Sequence, residues 1–537
     1  MSNFADDKLD ETMKKLIGLL APVLLAACSA QDLSLGEGHL DAEGRWVAHD
    51  MIVLGKQLED PYSVENMTKA LSELYPTKAG RIVLPPTDYY VRFLPEDESQ
   101  YERLVRDGLQ LMDHPMDYEI LREGDYYHDP ALAEDRITWQ YAVVPTDYVF
   151  PSGIRYEILE ECYIPPEDGR TKADDVDWLA VEQAAFRLSG NEALLEQPSA
   201  RTRAEGSGTP KGRITIVDDT RGSGPEGVRG VRVSCNSFVK TASAYTDEEG
   251  NYEMSRSFTS RPRYRLVFKN KRGFGIGLNL LLTPASVSTL GRQDPTGMDF
   301  EVTRESERKL FLRCVVNNAG YDYYKYCESC TPAIKTPPAN LRIWIFQRLP
   351  TSSTVMLQQG VLVDGSKLAE YLGEFISLLK IFLPDITLGL KGTEGYGDVY
   401  AEAVHELAHA SHFMLAGREY WKAYARYVLT SFVTSGFVTY GVGTGEGSGY
   451  CEVGESWAYF LQTVLYRERY QTEGAFGLTY WFHPQILLSL EEHGLGAPQI
   501  FQVLSSDATD RAMLQKKLTS YYPEYKSVIN QAFARYN

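Results

Sequence analysis

The residues best suited to chemistry are concentrated in His405-Glu406-Leu407-Ala408-His409. On an α-helix, residues four positions apart lie on one face, so His405 and His409 can direct both imidazoles at one metal ion. Zinc accepts histidine nitrogens as ligands and lowers the pKa of a bound water to about 7. Glu406 lies beside the two histidines and is placed to take a proton from that water as general base. The H-E-x-x-H spacing therefore predicts a hydrolytic zinc site.

The residues around this pattern favour a buried helix. An amphipathic helix with a polar outer face is the alternative explanation of so short a pattern. The flanking residues are small or apolar: Ala401, Ala403, Val404, Leu407, Ala408, Ala410, Phe413, Met414 and Leu415. Imidazoles on such a helix are expected to be buried, and buried imidazoles need partners. Gly417 is the predicted end of the helix.

A catalytic zinc takes three protein ligands and keeps one position for water. His412 lies roughly 10 Å of helix rise beyond His405, so a straight helix cannot bring both of them and His409 to one ion. His412 is therefore predicted to be a packed or supporting residue. A second helix is predicted after a glycine-rich loop, and Glu455 on that helix is a candidate third ligand. Glu452, about one turn earlier, is its rival, and the alternative is that both are surface acids near a helix N-terminus.

The two motifs together resemble the gluzincins, the thermolysin-like and aminopeptidase-like zinc peptidases. The resemblance rests on the H-E-x-x-H segment and on Glu455-Ser456-Trp457-Ala458. It implies a zincin-like fold in which a glutamate from a following helix completes the site, with His405, His409 and Glu455 as zinc ligands. The chain departs from the family pattern at Gly454, where many members have asparagine, and at Tyr459, where thermolysin-like enzymes have aspartate.

The N-terminal segment predicts export. Met13-Lys14-Lys15 precedes a short apolar run that ends at Cys28. A basic start, an apolar run and small residues are typical of a secretory signal and too short to span a bilayer comfortably. Leu25-Ala26-Ala27-Cys28 resembles the bacterial lipobox, which implies cleavage before Cys28 and lipid attachment to its sulfur. Residues 1–28 are thus the predicted signal region, and an ordinary cleaved signal is the alternative.

Composition limits the class of protein. A chain of 537 residues predicts about three domains, and a hydrophobic content of 43% can fill sizeable cores. The formal net charge of −19 argues against nucleic acid as a partner. Export permits disulfides, but the spacing of the cysteines does not reveal any pairing.

The sequence predicts a multidomain protein that begins with an α+β region of unknown role over residues 39–198. Its predicted elements are helices at Val64–Tyr75 and Glu98–Asp107 and strands at Tyr89–Leu94 and Thr138–Val144. Residues 199–211 are rich in Ser, Gly and Thr and are predicted to be a linker.

Residues 212–305 predict a β-sandwich, because short alternating strands are separated by turns with acidic residues and glycine. With Thr246-Asp247 and Gly250 in one such turn, the segment resembles the carboxypeptidase regulatory-like domains. That resemblance implies a spacer or docking module without a catalytic role. Asp247, Glu248 and Glu249 are compatible with a calcium site, but a solvated turn is favoured.

Residues 306–537 are the predicted peptidase domain, mostly α and zincin-like. The predicted elements are strands at Leu341–Phe346 and Asp385–Leu390 and helices at Lys367–Phe382, Pro484–His493, Ala508–Leu518 and Pro523–Arg535. In zincins the strand just before the metal-binding helix often lines the cleft and pairs with extended substrate. The resemblance implies that role for Asp385–Leu390.

These observations lead to a first hypothesis: an exported, lipid-anchored zinc metallopeptidase of the cell envelope, located in the outer membrane or at the cell surface. It would hydrolyse a peptide or protein substrate with a zinc-bound water activated by Glu406, and the membrane would be its partner through the lipid on Cys28. The second hypothesis is a cell-surface binding or scaffold lipoprotein with a zincin fold and no useful turnover.

Overall fold

The computed structural model shows a multidomain protein with helices and several sheets. The residues that it describes are 38–40, 46–48, 51–77, 83–133, 136–167, 176–195, 208–278, 283–305, 308–347, 351–361, 382–393, 395–434, 440–472 and 474–536. The predicted lipid-attachment residue Cys28 and all but the last residue of the predicted helix Lys367–Phe382 lie outside these ranges.

In the described residues of the N-terminal part, short sheets are combined with three α-helices. Its elements are β1 (Gly38–Leu40), β2 (Trp46–Ala48), β3 (Val53–Gln57), α1 (Val64–Leu74), β4 (Asp88–Leu94), α2 (Glu98–Arg106), β5 (Tyr118–Arg122), β6 (Gln140–Pro145), β7 (Arg155–Cys162) and α3 (Trp178–Leu188). Strands β6, β4 and β7 form an antiparallel sheet in that order, while β3 pairs with β5 and β1 with β2. Each helix is capped at its start by a side-chain oxygen that accepts a backbone N–H of the first turn. The capping residues are Ser63 for α1, Asp97 for α2 and Asp177 for α3.

The middle of the chain forms two sheets that pack face to face. The strands are β8 (Lys211–Ile216), β9 (Glu226–Gly227), β10 (Arg232–Ser237), β11 (Lys240–Tyr245), β12 (Asn251–Glu253), β13 (Arg263–Val267), β14 (Gly275–Leu278), β15 (Val287–Arg292) and β16 (Phe300–Val302). One sheet has the order β11-β10-β13-β15, and the other has the order β12-β8-β16 with β9 beside β8. Apolar side chains such as Ile214 and Leu266 alternate into the core between them. Two antiparallel-rich sheets therefore lie where the alternation predicted short strands.

The acidic turn of this sandwich is closed by its own hydrogen bonds. Asp247 Oδ1 accepts the backbone N–H groups of Glu249 and Asn251 at 3.0 and 2.7 Å. Glu248 pairs with Lys325 at 2.6 Å. These contacts give the carboxylates of Asp247 and Glu248 partners within the protein.

The C-terminal part is mostly helical around a small sheet. Its elements are α4 (Arg308–Ser329), β17 (Arg342–Phe346), β18 (Ser353–Thr354), β19 (Ile386–Gly389), α5 (Tyr396–Ala416), α6 (Arg418–Thr434), α7 (Ser448–Tyr470), α8 (Gln485–Glu492), α9 (Ala497–Phe501), α10 (Arg511–Tyr521) and α11 (Lys526–Ala534). Short 3₁₀ turns lie at Glu192–Leu194 and Pro523–Tyr525. Helix α4 was not predicted from the sequence. Most of its residues are buried, so it lacks the one-sided apolar stripe by which a surface helix is recognised.

The sheet of the C-terminal part includes a strand from the predicted sandwich segment. Strand β14 pairs in parallel with β17, and the sheet has the order β14-β17-β19-β18. Helix α4 packs against both this sheet and helix α5, and Gly320 lies so close to Phe274 that a Cβ would come within 2.6 Å of the ring. The predicted boundary at 305/306 therefore divides strands that share one sheet and one hydrophobic core.

Strand β19, expected to offer an edge to substrate, has neighbours on both sides. It is parallel to β17 and antiparallel to β18, with Ser353 opposite Thr387 and Thr354 opposite Ile386. At these two residues β18 occupies the edge that the family resemblance assigns to substrate. In addition, no helix among the described residues is long and apolar enough to cross a bilayer.

Candidate metal centre

The helix that carries the H-E-x-x-H segment is held at both ends. Gly417 ends α5 with φ +85°, a conformation that suits glycine. At the other end the first turn has no side-chain cap of its own. Instead, the loop after β8 supplies Asp219, which accepts the Tyr396 N–H at 2.8 Å, and Thr220, which accepts the Gly397 N–H at 2.9 Å. The sandwich thus fixes where α5 begins.

Helices α5 and α7 bring three side chains together. His405 Nε2 lies 3.2 Å from His409 Nε2 and 3.4 Å from Glu455 Oε2. His409 Nε2 lies 3.4 Å from Glu455 Oε1. The three residues offer ligand atoms within 4.8 Å of one another, and all three are buried. This group could hold a metal ion.

The separations suit a tetrahedral ion. In a tetrahedral site with ligand bonds of about 2.0–2.1 Å, neighbouring ligand atoms lie about 3.3–3.4 Å apart. The three observed separations fall close to that value. Within the described residues, the buried Oε2 of Glu455 makes no well-aligned hydrogen bond, although it lies 3.4 Å from His405 Nε2. A buried carboxylate oxygen placed in this way beside two imidazoles is available as a metal ligand.

Two supporting residues were missed by the sequence analysis. The side-chain oxygen of Gln462 lies 3.2 Å from His405 Nδ1 and accepts a hydrogen bond from it. Nε2 is therefore the His405 nitrogen left for a metal. The Tyr424 hydroxyl, from α6, donates to Glu455 Oε1. Gln462 lies seven residues after Glu455, on the same face of α7, which is the only sequence signal for it. Tyr424 is on a helix that had not been predicted.

Glu406 is not a member of the three-residue group. Its Oε2 accepts the Thr354 hydroxyl proton at 2.5 Å, so the edge strand β18 holds this carboxylate. Burial raises the pKa of Glu406 to about 8, partly offset by the His405 charge and the Thr354 hydrogen bond. A cation nearby would favour its ionised form.

Without a metal, the pKa values of the two imidazoles shift in opposite directions. Burial disfavours a charged His405, but the hydrogen bond and charge of Glu455 prevail and raise its pKa to about 9. Burial lowers the pKa of His409, despite the attraction of Glu455. Burial acts against the Glu455 charge, but His409 and His405 hold the Glu455 pKa well below its usual range. A metal ion binding here would displace the His405 proton.

The other two residues considered as ligands, His412 and Glu452, have different partners. His412 packs between Tyr420 and Trp421, with ring centroids 4.9 and 5.4 Å away, and burial lowers its pKa to about 3. It is a packed histidine, as expected from its spacing. Glu452 pairs with Arg511 and accepts the backbone N–H of that residue at 3.2 Å. The structure thus places Glu455, and not Glu452, beside the imidazoles.

Aromatic rings enclose the centre. Tyr459, at the position where thermolysin-like enzymes have aspartate, packs with its ring centroid 4.3 Å from the His405 ring. Trp421 stacks on Tyr424 and meets the His409 ring edge-on at 5.7 Å. As a result the exposed fractions of His405, Glu406, His409 and Glu455 are only 3, 3, 1 and 0%. In this conformation the centre is closed to solvent.

Comparisons with protein-family models, with curated proteins and with solved structures find no match to this chain. The functional interpretation therefore depends on the geometry of the described residues and on the sequence motifs.

Proposed function

We propose that the protein is an exported, lipid-anchored zinc metallopeptidase. The observation that carries this proposal is the convergence of His405, His409 and Glu455 with Glu406 beside them but outside the ligand group. Two imidazoles and a carboxylate are a ligand set typical of catalytic zinc. The anchored part of the proposal depends on Leu25–Cys28, which the structure does not describe.

The choice of zinc depends on the donor types. Imidazole nitrogen suits zinc, copper, iron and nickel, whereas calcium and magnesium prefer sites made of oxygen. Zinc in such a site acts as a Lewis acid that lowers the pKa of a coordinated water and polarises a carbonyl group. A site that held only a structural ion would not require a carboxylate such as Glu406 next to its ligands.

The protein residues would divide the remaining work. His405, His409 and Glu455 hold the ion, while Gln462 and Tyr424 orient His405 and Glu455. Glu406 takes a proton from the attacking water and later gives it to the leaving amine. The Thr354 hydroxyl holds the Glu406 carboxylate in place during both transfers.

The closed centre favours a second candidate. Because the four central side chains are almost inaccessible, a peptide can reach them only after the surrounding aromatic residues move. A buried ion without substrate access would instead stabilise a cell-surface scaffold. Turnover distinguishes the two candidates, because both require metal binding.

The test compares wild type with Glu406→Gln and His409→Ala in metal content and in cleavage of a mixed peptide library. Glu406→Gln keeps the size of the side chain but removes the base, so zinc should remain while hydrolysis falls by about two to four orders of magnitude. His409→Ala removes a ligand and should lose both metal and activity.

Two results would contradict the proposal. Cleavage by Glu406→Gln at the wild-type rate would exclude the general-base role. A wild type that binds one zinc ion per chain but cleaves no peptide in a broad library would favour the scaffold.

A further inference from the structure

A second feature suited to ligand binding is a cavity between the N-terminal part and the sandwich, and none of the three candidate metal ligands lines it. Its empty space, including volume that is open to solvent, is about 1080 Å³. The outer face of the sheet β11-β10-β13-β15 forms one wall, and the segment from α2 to β5 forms the opposite wall.

Strand alternation makes the sheet wall cationic. Along β13, Tyr264 and Leu266 point into the sandwich core, and Arg263 and Arg265 point the other way. Arg232 lies on the same face of β10, and Lys269 follows β13. These four cationic side chains line the cavity together with four acidic ones, Glu102, Asp113, Glu123 and Asp125.

The acids that line the cavity are largely engaged. Glu123 pairs with Arg263 and also accepts the Thr289 hydroxyl proton at 3.0 Å. Asp125 pairs with Arg313 at 2.7 Å. Both oxygens of Asp113 are occupied, one by His114 at 2.8 Å and the other by the Tyr127 N–H at 2.6 Å. Glu102 also lines the cavity, and it is the acid whose charge acts most on Lys269.

Three cations remain without a carboxylate partner among the described residues. Arg265 is only 7% exposed, and its hydrogen bond goes to the neutral oxygen of Asn236, 2.6 Å away. Arg232 has a buried Nε without a hydrogen-bond partner in the same part of the chain. Lys269 forms no ion pair there. Buried charge without a counter-charge costs free energy, which a bound anion would offset.

The electrostatics agree with this geometry. Burial lowers the pKa of Arg265 to about 10, and burial together with the nearby Arg292 and Arg265 lowers that of Arg263 to about 9. Guanidinium groups do not lose their proton in proteins, so the lowered value for Arg265 reflects a buried charge that Asp113 offsets only in part. In contrast, carboxylates and tyrosines overcome the burial of Arg469 in α7 and raise its pKa.

We propose that this cavity binds a small oxyanion, a carboxylate or a phosphate, through Arg232, Arg265 and Lys269. Guanidinium groups recognise both anions through paired N–H donors. Apolar side chains such as Leu111 and Val287 also line the cavity, so the ligand is expected to carry an apolar part beside its charged group.

The experiment is isothermal titration calorimetry, in which the full chain is titrated with inorganic phosphate and with succinate. Chloride is the control for ionic strength. We expect saturable binding of at least one oxyanion, and the stronger of the two identifies the ligand class. Arg232→Gln and Lys269→Gln should each weaken it by about 10- to 100-fold. Both residues are partly exposed, so these variants should fold even where a change at Arg265 would not.

Two control variants test whether the measured binding occurs in this cavity. Lys516→Gln removes an exposed charge on α10 and should leave binding unchanged. His409→Ala disables the metal centre and should also leave it unchanged, even if the peptidase proposal fails. The absence of saturable binding, equal weakening by Lys516→Gln, or loss of binding in His409→Ala would each overturn the anion site.

Discussion

At the scale of single residues, the metal centre depends on hydrogen bonds that orient its ligands. Glu455 lies between two imidazoles, and among the described residues the Tyr424 hydroxyl donates a direct hydrogen bond to its Oε1. Hydrogen-bond partners of this kind commonly change metal affinity by 10- to 100-fold. Tyr424 is therefore the residue outside the ligand set whose loss should matter most.

Tyr424→Phe should weaken zinc binding by about 10- to 100-fold, because the ring remains while the donor to Glu455 is lost. Competition with a chromogenic chelator measures the affinity. Tyr427→Phe is the matched control on the same helix, since its hydroxyl donates to the Tyr440 carbonyl and not to Glu455. Equal affinities for Tyr424→Phe and wild type would show that packing alone positions the carboxylate.

A residue far from the metal centre should control the pH dependence of stability. Burial raises the pKa of Asp60 from 3.8 to about 8; the Tyr62 N–H opposes this shift, and the charges of Asp117 and Glu160 add to it. The folded protein therefore binds this proton more tightly than the unfolded chain. The resulting stabilisation is complete below about pH 3.8 and is lost as the pH rises through about 8.

The Asp60→Asn variant has no titrating group at position 60. Its free energy of unfolding should therefore fall less between pH 5 and pH 8 than that of wild type, by on the order of a few kcal/mol. Denaturant titrations at several pH values measure the difference, and the comparison cancels the histidines common to both proteins. Asp147→Asn, an exposed change, is the control. Parallel pH profiles for wild type and Asp60→Asn would disprove the assignment.

At the scale of elements, α5 depends on a cap supplied from outside its own segment. Thr220 and Asp219 accept the first free N–H groups of the helix. The contact is close: a Cβ on Gly397 would lie 2.8 Å from the Thr220 side chain, so glycine is needed there. The start of the metal-binding helix is thus set by a loop about 175 residues earlier in the chain.

Thr220→Val keeps the shape of the side chain but removes the acceptor, and should destabilise the protein by about 0.5–2 kcal/mol. Thr220→Ser keeps the hydroxyl and should stay close to wild type. Chemical denaturation of both variants measures the effect. If serine and valine destabilise equally, the methyl contact and not the hydrogen bond holds the helix start.

At the scale of the whole molecule, the sandwich and the helical part behave as one packed body. Strand β14 joins the sheet of the helical part, and Arg469 of α7 pairs with Asp218 and Glu226 of the sandwich, each at 2.7 Å. One hydrophobic core runs through both parts. Elements that share a core and a sheet are expected to unfold together.

A fragment of residues 208–537 should therefore fold and bind zinc, while a fragment of residues 306–537 should remain unfolded, because it lacks β14, Asp218 and Glu226. Circular dichroism measures the folding of the two fragments, and metal analysis measures their zinc content. Calorimetry of the longer fragment should show one transition for both parts. A folded, zinc-binding fragment of 306–537 would establish that the helical part is independent.

The sequence by itself determined the features that depend on local spacing. The helix of His405, Glu406 and His409, its end at Gly417 and the strands of the sandwich follow from periodicity and from glycine, and these need only neighbouring residues. Glu455 was also identified from the sequence, although through family resemblance. Helices α4 and α6 were missed, since burial on most sides removes the one-sided pattern in α4.

Only the tertiary structure decided which distant residues meet. Gln462, Tyr424 and Thr354 reach the centre from three other elements, and no spacing in the sequence connects them with His405. The same holds for the pairing of β14 with β17 and for the cationic cavity. Such contacts depend on how whole elements pack, and packing depends on the summed shapes of many side chains far apart in the chain.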